Sequence, residues 1–156
     1  MLQVVKKKKG AAIGNARFAI VASTYNAKYV DAMLRAAKRE IERAGGRLTI
    51  VRVPGAYEIP VVAAKIARAG GFAGIICLGV ILRGATTHAQ HIGEAVSNAL
   101  SMIQIQHEVP VIHEVLLLEN EQQARERCLD KRHNRGMEAA QTALEMARVM
   151  RGLELD

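Results

Sequence analysis

The sequence contains no tryptophan and has few other aromatic residues. Three Tyr and two Phe make up only 3% of the 156 residues. Proteins that bind single-stranded nucleic acid without sequence preference stack the bases on aromatic side chains. The chain has little material for that kind of recognition, and we expect no nucleic-acid partner.

Long hydrophobic runs and a disulfide framework are also missing. Hydrophobic residues make up 50% of the chain, yet no run reaches the roughly 18 residues that a membrane span needs. Cys77 and Cys128 are too few for a disulfide scaffold, which fits a reducing compartment. Asn15 and Arg17 interrupt the first apolar stretch, which we interpret as tail and strand rather than as a signal peptide. We therefore expect a cytoplasmic protein with no membrane partner.

Positive charge is in excess, at a formal net charge of +7. Four lysines stand together at Lys6 to Lys9, in a stretch without hydrophobic periodicity. We predict a flexible basic N-terminal tail over residues 1–16 and a single domain over residues 17–156. Binding of a polyanion such as RNA by the tail stays open, but a basic surface that attracts small anionic substrates explains the charge equally well.

Strand and helix patterns alternate along the domain. Short apolar runs predict buried strands over residues 17–22, 48–53, 75–82 and 109–117, and helical spacing follows each of them. This alternation favours an α/β fold, which we predict to be a three-layer α/β/α sandwich with a mostly parallel four-stranded sheet. The loops after the strands, at residues 24–26, 55–58, 79–88 and 113–117, should gather at one edge of the sheet. Open α/β sheets bind ligands at that edge.

The third strand and the loop after it carry the clearest chemical signal. The run Ile75–Leu82 is apolar and rich in β-branched residues, and the loop Arg83–His88 brings a glycine, two threonines and a histidine to the start of a helix. Backbone N–H groups at a helix start favour an anion such as phosphate, and a histidine can move protons near neutral pH. An ordinary loop without a site remains the alternative when this stretch is considered by itself.

Several segments match, in order and spacing, the motifs of one enzyme family. They are Tyr25-Asn26, Val53–Pro60, Leu78–His88, Glu121-Gln122, Glu126-Arg127, Asn134–Gly136 and Glu138–Ala140. From about Phe18 to Met150 the chain thus resembles the lumazine synthases of riboflavin biosynthesis. The resemblance implies the flavodoxin-like fold of that family.

The resemblance also implies a reaction and an assembly. Lumazine synthases condense 5-amino-6-ribitylaminouracil with 3,4-dihydroxy-2-butanone 4-phosphate, release phosphate and water, and form 6,7-dimethyl-8-ribityllumazine. They use no cofactor and no metal. They form pentamers, some of which assemble into icosahedral shells, and their active sites lie between adjacent subunits. Small-molecule substrates, a homo-oligomer and riboflavin synthase are therefore the partners that the resemblance suggests.

Roles for individual residues follow from the same resemblance. His88 is the expected catalytic proton carrier, Tyr25 offers an aromatic face to the pyrimidine, and Glu58 accepts hydrogen bonds from the ribityl hydroxyls. Plainer alternatives are an interface aromatic for Tyr25, a helix-dipole contact for Glu58 and a solvated side chain for Arg127. The other expected substrate-binding residues are Asn26, Ala56, Tyr57, Val80, Ile81, Leu82 and His113, and the expected phosphate-binding residues are Gly84, Ala85, Thr86, Arg127 and Arg135.

The chain departs from the family pattern around this site. Ala89-Gln90-His91 follows His88 where the family usually has Phe-Asp-Tyr, His113 replaces a common Phe, and Arg135 replaces a usual Lys. These changes leave open a non-catalytic member that binds a flavin, lumazine or pyrimidine or forms a shell. A zinc-like site built from the three histidines is not favoured, because no cysteine or carboxylate stands at ligand spacing with them.

Overall fold

Four parallel strands and five helices alternate along the part of the chain that the computed structural model describes, residues 2–6 and 13–153. No helix within those residues combines the length and apolarity that a bilayer crossing requires. The strands are β1 (Arg17–Ser23), β2 (Arg47–Val53), β3 (Gly74–Leu82) and β4 (Val111–Leu118). The helices are α1 (Ala27–Arg43), α2 (Ile59–Ala69), α3 (His88–His107), α4 (Glu121–Ala124) and α5 (Arg135–Gly152), with a 3₁₀ turn at Ala56–Glu58 and a π turn at Arg125–Leu129.

The sheet has the strand order β2-β1-β3-β4, and every pairing is parallel. Strand β3 lies inside the sheet and is buried from Gly74 to Val80, which explains its continuous apolar sequence. Helices α1 and α5 pack on one face, and α2 and α3 pack on the other. The predicted three-layer α/β fold is confirmed, and the sheet is parallel throughout.

Side chains of alternate residues in the two inner strands, β1 and β3, point to opposite faces of the sheet. Phe18 and Ile76 point to the layer of α1 and α5, whereas Val21 and Ile75 point to the layer of α2 and α3. This is the two-residue periodicity of a strand that is covered on both sides. Full burial of each large apolar side chain stabilises the fold by roughly 1.5–3 kcal/mol, so the core holds the sheet firmly beneath the loops at its carboxyl edge.

The C-terminal elements differ from the sequence pattern, which predicts helices over 120–127 and 137–150. Helix α4 gives way after one turn to the π turn, in which Asp130 N–H donates to the Arg125 carbonyl at 3.2 Å. Helix α5 begins two residues early because Asn134 caps it. Asn134 Oδ1 accepts from Gly136 N–H and Met137 N–H at 2.8 and 3.2 Å, and Nδ2 donates to the Cys128 carbonyl at 2.9 Å.

Residues 2–6 of the basic N-terminal segment lie against the C-terminal part of the domain. Val5 N–H donates to the Arg132 carbonyl at 2.8 Å, and Gln141 Nε2 donates to the Lys6 carbonyl at 2.7 Å. Ile13 is only 1% exposed and belongs to the core. Lys7 to Lys9 lie outside the described residues, and the flexibility of residues 1–16 stays a prediction.

Candidate active site

A cleft of about 920 Å³ opens at the carboxyl edge of the sheet. Its volume falls within the about 300–1,000 Å³ that is typical of small-ligand sites. The loops after β1, β2 and β3 and the first turns of α3 form its walls. The lining residues are Tyr25, Asn26, Gly55, Ala56, Tyr57, Glu58, Val80, Ile81, Leu82, Gly84, Thr86, His88, Ala89, His91, Ile92 and Ala95.

Most of the residues that the sequence nominated lie around this one cleft. In the loops after β1, β2 and β3, every nominated residue except Ala85 is part of its lining. His113, Arg127 and Arg135 are not. The cleft of a single chain therefore has the predicted pyrimidine side and the phosphate loop, but it lacks the predicted arginines.

The loop after β1 is held in a conformation that few residues adopt. Asn26 has a positive φ of 57°, in the left-handed region that asparagine tolerates better than most side chains. Its Nδ2 donates to the Val80 carbonyl at 2.7 Å, and Tyr25 N–H donates to the Pro54 carbonyl at 3.0 Å. The Tyr25 ring is 74% exposed at the cleft, where its face can meet an aromatic ligand.

The end of β3 offers backbone groups to the cleft. Pairing between β1 and β3 ends at Leu78, whereas pairing with β4 continues to Leu82. Ile75 N–H and Arg83 N–H both donate to carbonyls at the β4 side. Because backbone direction alternates along a strand, Val80 and Leu82 turn their N–H and C=O groups to the opposite side. The hydrogen bond from Asn26 Nδ2 to the Val80 carbonyl agrees with this orientation. Because the Val80 carbonyl is already bonded, the N–H and C=O groups of Leu82 are best placed to hydrogen-bond to the edge of a ligand.

Glu58 stands at the start of α2 and accepts a hydrogen bond from within its own turn. Glu58 Oε2 accepts from Gly55 N–H at 3.0 Å. This is the plainer role for a carboxylate at a helix start. The side chain is exposed and lines the cleft, so the same contact also fixes its carboxylate at the ligand side.

His88 is the first residue of α3 and is exposed in the cleft. Its backbone N–H contacts Thr86 Oγ1 at 3.3 Å, and the next turn brings His91 Nε2 to 3.3 Å from Thr87 Oγ1. Helical positions three, four and seven residues apart share a face. This spacing places the unnominated His91, Ile92 and Ala95 beside His88, and counting along the predicted helix would have found them.

Arg83 precedes the predicted phosphate-binding loop, Gly84–Thr86, and is held by two side-chain hydrogen bonds. Arg83 Nε donates to Glu119 Oε1 at 3.0 Å, and Nη2 donates to Gln90 Oε1 at 3.2 Å. The loop after it, Gly84–Thr87, is exposed and leads directly into α3. Backbone amides at such a junction suit an anion. Gln90, one of the departures from the family pattern, supports the loop rather than lining the cleft.

His113 lies inside β4 and not in a loop after it, so the loop expected at residues 113–117 was wrong. It pairs with Cys77 across the sheet, and its ring turns towards α3. Nδ1 accepts from Val115 N–H at 3.1 Å, so the proton is on Nε2, which contacts Ser97 Oγ at 2.7 Å. Although His113 is exposed, partial burial of its ring lowers its pKa, and the neutral form is therefore favoured.

The two arginines occupy the opposite side of β4. Arg127 sits in the π turn, where Nη1 donates to the Gln123 carbonyl at 3.4 Å and lies 3.8 Å from Glu126 Oε2. Arg135 Nη1 pairs with Glu138 Oε2 at 2.8 Å. Both side chains are partly exposed. Neither lines the cleft of its own chain.

Glu114 is a half-buried acid that the sequence did not nominate. It lies on β4 in the layer of α5, near Arg135, Glu138 and Cys128. Burial raises the pKa of Glu114 to about 7; Glu138 adds to the rise and Arg135 opposes it. Because this pKa is higher in the folded state than in the unfolded chain, the folded state holds the Glu114 proton more tightly. The stability that this proton contributes is fully present below the unfolded pKa and is lost as pH rises through about 7.

Replacing Glu114 with glutamine should therefore stabilise the protein only at higher pH. At about pH 8.5 we expect the free energy of unfolding to rise by up to about 3 kcal/mol, and at about pH 4.5 to change little. Denaturant unfolding at both pH values and one protein concentration measures this. Glu42→Gln, on the exposed face of α1, is the control. An equal effect of Glu114→Gln at both pH values would contradict the expectation.

No three His, Cys, Asp or Glu side chains come together as metal ligands anywhere in residues 2–6 and 13–153. His88 and His91 line the cleft, but His113 does not. The three histidines of the disfavoured metal hypothesis therefore do not meet within one chain.

The fold and the cleft define a class: a parallel α/β protein that binds a small ligand at the carboxyl edge of its sheet. The family described as 6,7-dimethyl-8-ribityllumazine synthase matches residues 15–151. Two relatives of that name, from Xanthomonas campestris pv. campestris strains B100 and 8004, are each 38% identical to the chain over 138 residues. The matches cover 86% of this chain and 90% of each relative. The chain belongs to the lumazine synthase family, which confirms the resemblance.

Proposed function

We propose that the protein condenses 5-amino-6-ribitylaminouracil with 3,4-dihydroxy-2-butanone 4-phosphate to give 6,7-dimethyl-8-ribityllumazine in riboflavin biosynthesis. The observation that carries this proposal is the convergence of Tyr25, Glu58 and His88 on one cleft. The end of β3 supplies backbone hydrogen-bonding groups beside them, and the loop Gly84–Thr86 supplies the start of a helix. The aromatic ring and the backbone hydrogen-bonding groups suit a pyrimidine amine, and the helix start suits the phosphate of a phosphorylated ketone.

The chemistry consists of proton transfers around a positioned amine. The amine adds to the ketone, the carbinolamine loses water, phosphate is eliminated, and the ring closes with loss of a second water. Each step moves a proton, and a correctly placed imidazole accelerates such steps. His88 borders both the cleft and the phosphate loop, so it can serve the amine side and the leaving phosphate side.

The active site is completed, in this proposal, by an adjacent subunit of a homopentamer. Within one chain, Arg127, Arg135 and His113 do not line the cleft, so in this proposal the arginines that bind the phosphate come from a neighbour. Large apolar side chains stand exposed on the described surface, as is common at subunit interfaces. They include Tyr57, Val61, Met102 and Ile105.

An activity assay and a mass measurement test the two parts separately. Incubation with both substrates should generate lumazine fluorescence above the uncatalysed background. No product from folded protein would reject the catalytic proposal, and binding of the pyrimidine or riboflavin without turnover would favour a non-catalytic member. The mass of the assembly decides between a pentamer and an icosahedral shell. The cytoplasm is the proposed location, and riboflavin synthase a proposed partner.

Replacing Arg127 with alanine should chiefly weaken the use of the phosphorylated ketone. A charge-assisted contact contributes about 1.5–3 kcal/mol, so we expect KM for that substrate to rise by about 10- to 100-fold. KM for the pyrimidine should change little. Steady-state kinetics with each substrate varied in turn measures both constants.

Arg132→Ala is the matched control, because Arg132 is exposed and bonds to Asp130 outside the cleft. Arg127→Lys should lie between the wild type and Arg127→Ala, since it keeps the charge and loses the planar fork. An unchanged KM for the ketone phosphate in Arg127→Ala would contradict the assignment.

A further inference from the structure

Arg52 makes three contacts that join separate elements behind the cleft. It is the next-to-last residue of the edge strand β2. Nε donates to the Ala22 carbonyl at 3.2 Å, Nη2 donates to the Ser23 carbonyl at 2.9 Å, and the same Nη2 lies 2.7 Å from Asp31 Oδ1. One guanidinium thus connects β2, the last two residues of β1 and the beginning of α1.

The two hydrogen bonds to the Ala22 and Ser23 carbonyls depend on the planar geometry of a guanidinium, whereas Asp31 Oδ1 is paired with it by charge and accepts no hydrogen bond within the described residues. A guanidinium presents its N–H groups in one rigid plane, and several acceptors can be bound at fixed mutual positions. A lysine ammonium would keep the charge opposite Asp31 without that fixed geometry. The side chains of Arg52 and Asp31 are 34% and 38% exposed, and an ion pair that exposed contributes little to stability. Its effect is on position.

The loop directly after these carbonyls carries Tyr25 and Asn26. Thr24 N–H donates to the Val53 carbonyl at 2.7 Å, and Asn26 bridges forward to Val80. The positive φ of Asn26 is an unfavourable conformation that persists only when its surroundings determine it. Arg52 binds the carbonyls of the two residues that end β1, before the loop, and Asp31 lies in the first turns of α1, after the loop. The pair therefore holds both ends of the loop.

We propose that the Arg52–Asp31 pair positions Tyr25 and Asn26 for the pyrimidine substrate without touching that substrate. The inference rests on the proposed function and adds to it two positioning residues outside the cleft lining. In the proposed site the phosphorylated ketone lies at the loop Gly84–Thr86, which none of the contacts of the pair reaches. Loss of the pair should therefore affect one substrate and not the other.

The test compares Arg52→Met, which removes the donors at similar length, with Arg52→Lys and Asp31→Asn. Loss of about one well-placed contact with the substrate weakens binding by roughly ten-fold, so we expect Arg52→Met to raise KM for the pyrimidine by about 10-fold. KM for the ketone phosphate should stay within about two-fold. Arg52→Lys and Asp31→Asn should be intermediate. Arg47→Met, at the other end of the same strand, is the matched control.

Calorimetric titration with the pyrimidine substrate gives a second measurement, which does not need turnover. Pyrimidine binding weakened by Arg52→Met supports the inference even if the wild type makes no lumazine, a result that would reject only the proposed function. Equal effects on both substrates, or unchanged pyrimidine binding in folded Arg52→Met, would overturn the inference. If Arg52→Met does not fold, unchanged pyrimidine binding in both Arg52→Lys and Asp31→Asn would overturn it.

Discussion

Replacing Gly136 with alanine is expected to lower the free energy of unfolding by about 3 kcal/mol or more, at the upper end of overpacking effects. Gly136 is buried in the first turn of α5, where that helix meets α1. A methyl group added there overlaps the backbone of Met33, including its carbonyl oxygen. Backbone cannot rotate away as a side chain can, so the two helices must separate and open the core layer between them.

Chemical denaturation at one protein concentration measures this loss, because an oligomer's apparent stability depends on concentration. Gly152→Ala is the matched control, since Gly152 belongs to the same helix and an added methyl group meets nothing within 4 Å. We expect that control to change the free energy of unfolding by less than about 0.5 kcal/mol. Equal stability of the two variants would show that the helices can separate at little cost.

The sheet and the position of the cleft could be predicted because they follow from local patterns. Ile75–Leu82 is a continuous apolar run since β3 is covered on both faces and paired on both sides. Parallel strands place their carboxyl ends together, so the loops carrying Tyr25, Glu58 and His88 had to meet at one edge. Motif order then pointed to the lumazine synthase family, which the comparisons confirm.

The features that sequence reasoning missed depend on distant contacts. Residues 113–117 were predicted both within the strand 109–117, which is confirmed, and within a loop, which is wrong. Inside a strand, register decides which elements the His113 ring meets. Gly136 stood in a recognised motif, but only the close approach of α1 shows why glycine is needed there. Arg52 reads as an ordinary exposed residue of an edge strand until its contacts with β1 and α1 are seen.

Arg127 and Arg135 show a different limit. Their motifs nominate them for phosphate, yet each is held by a partner in its own chain, Glu126 or Glu138, on the far side of β4 from His113. A site shared between subunits cannot be assembled from one sequence, because the distances across the interface depend on how the copies pack. Their assignment stays a prediction that the Arg127 kinetics address.

Replacing His88 with alanine is expected to lower turnover by about 10- to 100-fold without abolishing it. Alanine removes the imidazole that carries protons in each step. The rest of the cleft still holds both substrates against each other, and that positioning alone accelerates the reaction.

Turnover, measured at saturating concentrations of both substrates, separates this role from simple loss of binding. His91→Ala is the matched control, since His91 lies on the same face of α3 and its ring contacts Thr87 within the turn. We expect it to reduce turnover by less than about three-fold. A larger loss in His91→Ala than in His88→Ala would transfer the proton-carrying role to His91. Unchanged turnover in His88→Ala would leave positioning by the cleft, together with a neighbour's arginines, as the whole source of catalysis.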